Sequence, residues 1–185
     1  MEEACIIWWR SNYILMKTVY IARHAKSSWE YPSIKDIDRT LTANGIKAAY
    51  GVASRLKEEG NQLDSIISSP ANRAIHTALI HSRVMDLPSN RIIINAALYY
   101  ENETSIIDLL KQQFNEVNHS MIVGHNPTFT NLANHFLENR LENIQTSGII
   151  QLSFNTEDWA EINPKNLTHS LYFKRKEIVD LRYAQ

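Results

Sequence analysis

The stretch VYIARHAKSSW, residues 19–29, passes from an apolar, β-branched run directly into the charged pair Arg23–His24. The run reads as a buried strand and the charged pair as its carboxyl end. The same kind of run recurs as SIIS (65–68), RIII (91–94), SMIVG (120–124), IIQLSF (149–154) and SLYF (170–173). Between the earlier runs lie amphipathic segments of helical length, at roughly 42–60, 70–86, 104–115 and 127–140. Alternating strand and helix predicts an α/β fold with a mostly parallel central sheet covered on both faces. The last two runs follow one another without a long helix, which predicts an antiparallel element there.

The bulk composition narrows the function classes. The chain has 185 residues, 44% of them hydrophobic and 21% charged, which suits one globular domain with a proper core. Nineteen basic residues against 20 acidic ones leave no global field for nucleic acid, so attraction for an anion must be local. Cys5 is the single cysteine, which excludes an internal disulfide and a cysteine-based zinc site and fits a reducing cytoplasm. Residues 1–16, MEEACIIWWRSNYILM, begin acidic and are interrupted by Arg10 and Asn12. They make a poor signal peptide and are too short to span a bilayer, so no membrane partner is expected.

Two junctions share one grammar. In SIISSPANRAIHTA, Ser69 is placed to cap a helix and Pro70 to be its first residue; in MIVGHNPTFTNLANHF, Asn126 and Pro127 take the same positions. Each helix then starts just past the carboxyl end of a strand, where open α/β sheets place their ligands and where helix ends attract anions. Three strand ends thus carry Arg23–His24, Arg73 with Ser68 and Ser69 nearby, and His125–Asn126. If the strands are neighbours, two arginines and two histidines converge. Planar guanidinium forks suit a phosphoryl group, a neutral imidazole nitrogen can attack phosphorus, and a second histidine can donate to the phosphoryl oxygens. Arg23 and Arg73 would also disfavour a positive charge on His24. The other ring nitrogen of His24 then needs a hydrogen bond, expected from a backbone carbonyl, to fix the tautomer.

Four segments, VYIARHAKSSW, DIDRTLTANG (36–45), SSPANRAIHTA (68–78) and VGHNPTFTNLA (123–133), fall in the order of the histidine phosphatase superfamily. The chain most resembles the small, cap-less, SixA-like phosphohistidine phosphatases, from about Met16 to Lys174. The resemblance implies a three-layer α/β/α sandwich of the phosphoglycerate mutase-like kind, a phosphohistidine intermediate and no metal or other cofactor. It makes His24 the nucleophile, Arg23 and Arg73 the phosphoryl clamps and His125 the residue that completes the pocket. Two departures stand out. Ala25 follows the nucleophile where the superfamily usually has glycine, and Glu30 stands where related mutases often carry an asparagine phosphate ligand. Ser27 is a candidate substitute donor.

Alkyl phosphate esters need a carboxylic acid to protonate the leaving alkoxide. Glu101 and Glu103, in ALYYENETSIIDLL (97–110), are the candidates, but the local pattern is shifted. Phosphohistidine makes a weaker demand, because its P–N bond is labile and imidazole leaves well. The expected partner is therefore a protein bearing phosphohistidine, with a small phosphoester or a non-catalytic phosphate-binding role as alternatives. Asp38 and Arg39 are read as a local pair steadying the first loop, and Trp29 and Tyr31 as pocket-mouth or packing residues. His76 is read as second to Arg73 on its helix or as a surface group, and His81, His119, His135 and His169 as structural or exposed. The domain is expected over residues 17–185, with 1–16 an extension that is either a loose, disordered tail or the product of a start codon called too early. The intact mass of native protein is expected to begin at Met16, and a mass beginning at Met1 would overturn that reading.

Overall fold

The computed structural model describes residues 16–30 and 32–183; the expectations for residues 1–15 and for Tyr31 lie outside the described residues. One sheet is built from β1 (Lys17–Arg23), β2 (Ser65–Ser68), β3 (Ile92–Ile94), β4 (His119–Gly124), β5 (Ile149–Phe154), β6 (Leu167–Phe173) and β7 (Ile178–Asp180). Their spatial order is β3-β2-β4-β1-β5-β6-β7. The first four strands in that order are mutually parallel, and β5, β6 and β7 are added antiparallel. The parallel sheet expected from the strand–helix alternation thus forms one half. The antiparallel element expected near the end extends through β7, whose three residues are too few to show a period.

The helices are α1 (Ala43–Glu58), α2 (Asn72–Val84), α3 (Ala97–Tyr100), α4 (Glu103–Lys111) and α5 (Thr128–Phe136). Successive residues of a strand face opposite layers, and β1 shows both. Val19 and Ile21 pack with Ile106 and Leu110 of α4 and with Phe129 and Leu132 of α5. Tyr20 and Ala22 pack with Val52 and Leu56 of α1 and with Ala74 and Ala78 of α2. Helices on both faces make the three layers, and burial on both faces is why residues 18–22 are apolar without strict alternation.

The helix starts differ slightly from the sequence reading, for one physical reason. α2 begins at Asn72 and α5 at Thr128, and neither has a side-chain cap. The two polar side chains expected to cap them are used sideways. The Ser69 hydroxyl still accepts the Ala71 N–H at 3.3 Å but also meets His125 Nε2 at 2.8 Å. The Asn126 amide donates to the Ile144 carbonyl at 3.1 Å.

The loop after β1 is pressed against the start of α1. Thr42 caps α1 by accepting from the Gly45 N–H at 3.0 Å, and its own N–H donates to the Lys26 carbonyl at 2.9 Å. A Cβ on Gly45 would run into that same carbonyl, so only glycine permits the approach. Gly51, exposed in the middle of α1, has nothing within 4 Å of where a Cβ would sit. Gly45→Ala is therefore expected to destabilise the fold by about 1–3 kcal/mol, as overpacking does. Gly51→Ala should stabilise it by about 0.5–1 kcal/mol through helix propensity. Urea unfolding of the two variants checks the opposite signs.

Candidate active site

The carboxyl ends of β2, β4 and β1 lie side by side and deliver the four residues the sequence singles out. His24 follows β1. Its N–H donates to the Gly124 carbonyl at 3.0 Å, and its own carbonyl accepts the Ser147 N–H at 3.2 Å, so its backbone is held from both sides. His125 follows β4, and Gly124 before it leaves the space that the Phe129 ring fills. Arg73 is the second residue of α2 and is 6% exposed. The imidazoles of His24 and His125 stand with ring centroids 4.9 Å apart. These residues, with Arg23, Lys26, Ser27, Trp29, Arg39, Asn126 and Thr146, line a surface cleft of about 290 Å³.

The hydrogen bonds assign the tautomer of His24. Nδ1 lies 2.7 Å from the Ala25 carbonyl, which can only accept, so Nδ1 carries the proton. That leaves a lone pair on Nε2, 3.4 Å from Arg73 Nε. The backbone carbonyl expected from sequence is thus the one supplied by the next residue. The Ala25 side chain is fully buried with Leu41, Ala49 and Ile80, so the methyl that replaces the usual hydrogen has a hydrophobic seat. The Ala25 N–H donates to Thr77 Oγ1 at 3.0 Å, and the same hydroxyl donates to the Arg73 carbonyl at 2.7 Å.

His125 stands between two polar neighbours. Its Nδ1 accepts from Arg73 Nη2 at 3.3 Å, and its Nε2 meets the Ser69 hydroxyl at 2.8 Å. A hydroxyl both donates and accepts, so Ser69 supports either tautomer. Because a guanidinium can only donate, Nδ1 holds the lone pair here and Nε2 carries the proton toward the Ser69 hydroxyl.

Electrostatics keep both rings neutral. Burial, reinforced by the charges of Arg73, Arg23 and Arg39, lowers the His24 pKa to about 4, although the bond to the Ala25 carbonyl pulls the other way. Burial, then His24 and Arg73, lower that of His125 to about 3. Desolvation penalises the charged imidazolium, and neighbouring cations add to the penalty. The positive charge is steadied by Asp36. Its Oδ2 pairs with Arg73 Nη2 at 2.8 Å and accepts from the Tyr99 hydroxyl at 2.8 Å, and its Oδ1 pairs with Arg39 Nη1 at 2.9 Å. Burial alone would raise the Asp36 pKa, but hydrogen bonds from Tyr99, Arg39 and Arg73 outweigh it and hold the carboxyl at about 2.

Arg23 reaches the cleft from the other side. Its Nη1 donates to the Ile144 carbonyl at 2.6 Å, while its buried Nε has no partner among the described residues. Ser27 lines the cleft, but its oxygen accepts from Arg39 Nη2 at 2.6 Å, which leaves the hydroxyl proton for a ligand. Glu101 and Glu103 are not brought to the cleft. Glu101 is exposed and accepts from the Ser105 hydroxyl at 3.4 Å, and Glu103 opens α4. Glu30 is another residue outside the lining, with its N–H on the Ser28 hydroxyl at 3.0 Å. Trp29 stands on the rim, 75% exposed, with the Arg39 guanidinium 3.2 Å from its ring centroid. His76 is half-buried on α2 and does not line the cleft, and His81 is fully buried, a structural histidine.

The loop pairing expected of Asp38 and Arg39 belongs to Asp36 and Arg39 instead. Asp38 uses its carbonyl, which accepts from the Asn72 side chain at 3.0 Å. Asp36, Arg39 and Tyr99 form a hydrogen-bonded group with Arg73 beside the cleft that sequence reasoning did not place. The available signal was the three-residue spacing of Asp36 and Arg39 within DIDRTLTANG; Tyr99, in a four-residue helix, had none.

Comparison with known proteins agrees with this geometry. Residues 19–98 match the family model described as histidine phosphatase superfamily (branch 1). An uncharacterized protein of Mycobacterium tuberculosis H37Rv is 31% identical over 153 residues, covering 77% of this chain and 92% of that protein. The structure of SixA from Agrobacterium tumefaciens, assigned as a phosphohistidine phosphatase, superposes with a TM-score of 0.68 at 28% identity, over 75% of this chain and 92% of that one. The protein histidine phosphatase SixA complexed with tungstate shares the fold, with a TM-score of 0.71 at 21% identity over 85% and 97% of the two chains. With its sheet flanked on both faces and paired histidines at the strand ends, the chain belongs to the histidine phosphatase superfamily and has the phosphoglycerate mutase-like fold.

Proposed function

We propose that the protein is a metal-independent phosphatase that removes the phosphoryl group from protein phosphohistidine through a covalent intermediate on His24. The observation that carries this reading is the lone pair of His24 Nε2, fixed by the 2.7 Å bond from Nδ1 to the Ala25 carbonyl and engaged only by a long, 3.4 Å bond from Arg73 Nε that an incoming phosphoryl group can displace. Nε2 attacks phosphorus as the substrate P–N bond breaks. The departing ring leaves as neutral imidazole when its second nitrogen is protonated. Water then attacks phospho-His24 and releases inorganic phosphate, restoring Nε2. Arg23, Arg73 and His125 bind the equatorial oxygens, His125 through Nδ1 once the phosphoryl group displaces Arg73 from that nitrogen and the Ser69 hydroxyl turns to donate to Nε2, with Ser27 as a further donor. Preorganised donors around a transferring phosphoryl group supply most of what this reaction needs.

Phosphohistidine is favoured over an alkyl ester because Glu101 and Glu103, the acids an alkoxide would need, stand outside the cleft. An open surface cleft also suits a phosphoryl group presented on another protein. Labelling with a phosphohistidine substrate, quenched in alkaline detergent because the P–N bond does not survive acid, is expected to trap a phospho-enzyme that is absent in His24→Ala. Turnover should survive EDTA and should favour phosphohistidine peptides over sugar and nucleotide phosphates. Label persisting in the variant, or preference for the small esters, overturns the assignment.

The pH dependence follows from the two depressed histidines. Their values lie near 4 and 3 when folded, against about 6.5 when unfolded. Below about pH 6.5 the unfolded chain binds protons that the native site refuses, so their contribution to stability is intact above that pH and is lost as pH falls toward 4. Side-chain NMR titration should show both rings neutral from pH 8 down to 5. A midpoint near 6.5 for His24 would contradict the electrostatic account.

A further inference from the structure

A second cleft of about 240 Å³ adjoins the phosphoryl pocket and shares Lys26 and Thr146 with it. Its other walls include Asn44 and Gly45 in the first turn of α1, Ser147 and Arg175. Among the described residues no carboxylate lines either cleft, although the chain as a whole carries a net charge of −1. Lys26 and Arg175 are both exposed, and neither has a carboxylate partner among the described residues. Glu177, close to Arg175 in sequence, is already paired with Lys174 at 3.0 Å.

Ser147 supplies the independent observation. It is 1% exposed, and its hydroxyl has no hydrogen-bond partner. Buried hydroxyls are normally paired, so an unpartnered one in a residue of the cleft wall has a proton to offer a ligand that reaches it. Its backbone is also left-handed, with φ of 67°, a conformation disfavoured for serine. The Ser147 N–H holds the carbonyl of His24, so the residue that carries the open hydroxyl is tied directly to the nucleophile. Strained residues of this kind persist where the surroundings fix them, and they cluster at ligand sites. The positive end of α1 points the same way.

We propose that this cleft is an anion subsite, formed by Lys26, Arg175 and Ser147, that holds an acidic group carried by the substrate beside its phosphoryl group. Resting on the phosphohistidine reading above, that group is an aspartate or glutamate next to the phosphohistidine in the acceptor protein. The cleft then selects among phosphorylated proteins by the charge that flanks the modified histidine, while the transfer itself stays with His24.

Two substrate pairs test this: phosphohistidine peptides with glutamate or glutamine flanks, and phenyl phosphate with or without a ring carboxylate. kcat/KM is measured for the wild type, Arg175→Gln and Arg175→Lys. The acidic peptide is expected to be favoured about fivefold by the wild type, the range of an exposed ion pair. That gain should vanish in Arg175→Gln, survive in Arg175→Lys and shrink with added salt, with the glutamine peptide unchanged throughout. A gain confined to the aryl pair assigns the subsite to a small-molecule substrate and removes the acidic protein partner. No gain in either pair, or equal losses on both members of a pair in Arg175→Gln, overturns the subsite. Peptides left uncleaved while aryl phosphates turn over would sink the phosphohistidine reading instead, and the subsite is then decided by the aryl pair.

Discussion

The site depends on the register between two strands. β1 and β4 run parallel with Arg23 opposite Gly124, and the His24 N–H closes the ladder on the Gly124 carbonyl. Both chains leave the sheet at that level, each with a histidine as its next residue. Side chains alternate along strands, so a slip of one residue would turn every apolar side chain of β1 to the wrong helical layer. The hydrophobic pattern that buries the strand on both faces therefore also sets the distance between the two imidazoles.

Neutral histidines among cations need a counter-charge that does not touch them. Asp36 fills that role. It pairs with Arg73 and Arg39 without a hydrogen bond to either ring, and its pull toward protonating His125 is outweighed by burial and by the charges of His24 and Arg73. Burial is then the largest influence on both imidazoles, with the neighbouring cations adding to it. Removing a carboxylate of this kind would leave two crowded guanidinium groups near each other, which is costly where water is scarce.

Much of this was legible in the chain. β2 and β5 coincide with the apolar runs SIIS and IIQLSF, and the four polar residues at the strand ends meet as their motifs implied. Periodicity and helix-start chemistry are local signals, and they were sufficient for those parts. Asp36 was invisible because its partner Arg73 lies 37 residues away, and no local pattern encodes that meeting. Arg39 was assigned to the nearer acid, Asp38, by adjacency, whereas the 3-10 turn at Asp36–Asp38 brings Asp36, three residues away, to it instead. The helix-start prolines predicted α2 and α5 to within two residues. Tertiary demand on Ser69 and Asn126 accounts for the remainder.

One hydroxyl, that of Thr77, accepts from the amide after His24 and donates to the carbonyl of Arg73. In evolutionary terms this makes position 77 a narrow gate. Valine has nearly the same shape but leaves a buried amide unsatisfied, and serine keeps both bonds but opens a methyl-sized void against fully buried neighbours. A lineage can rebuild the rim of this cleft, where Trp29 stands in water, and acquire new substrates there. The joint between His24 and Arg73 tolerates few substitutions by this argument, so change at this site is steered outward, from the buried joint to the rim.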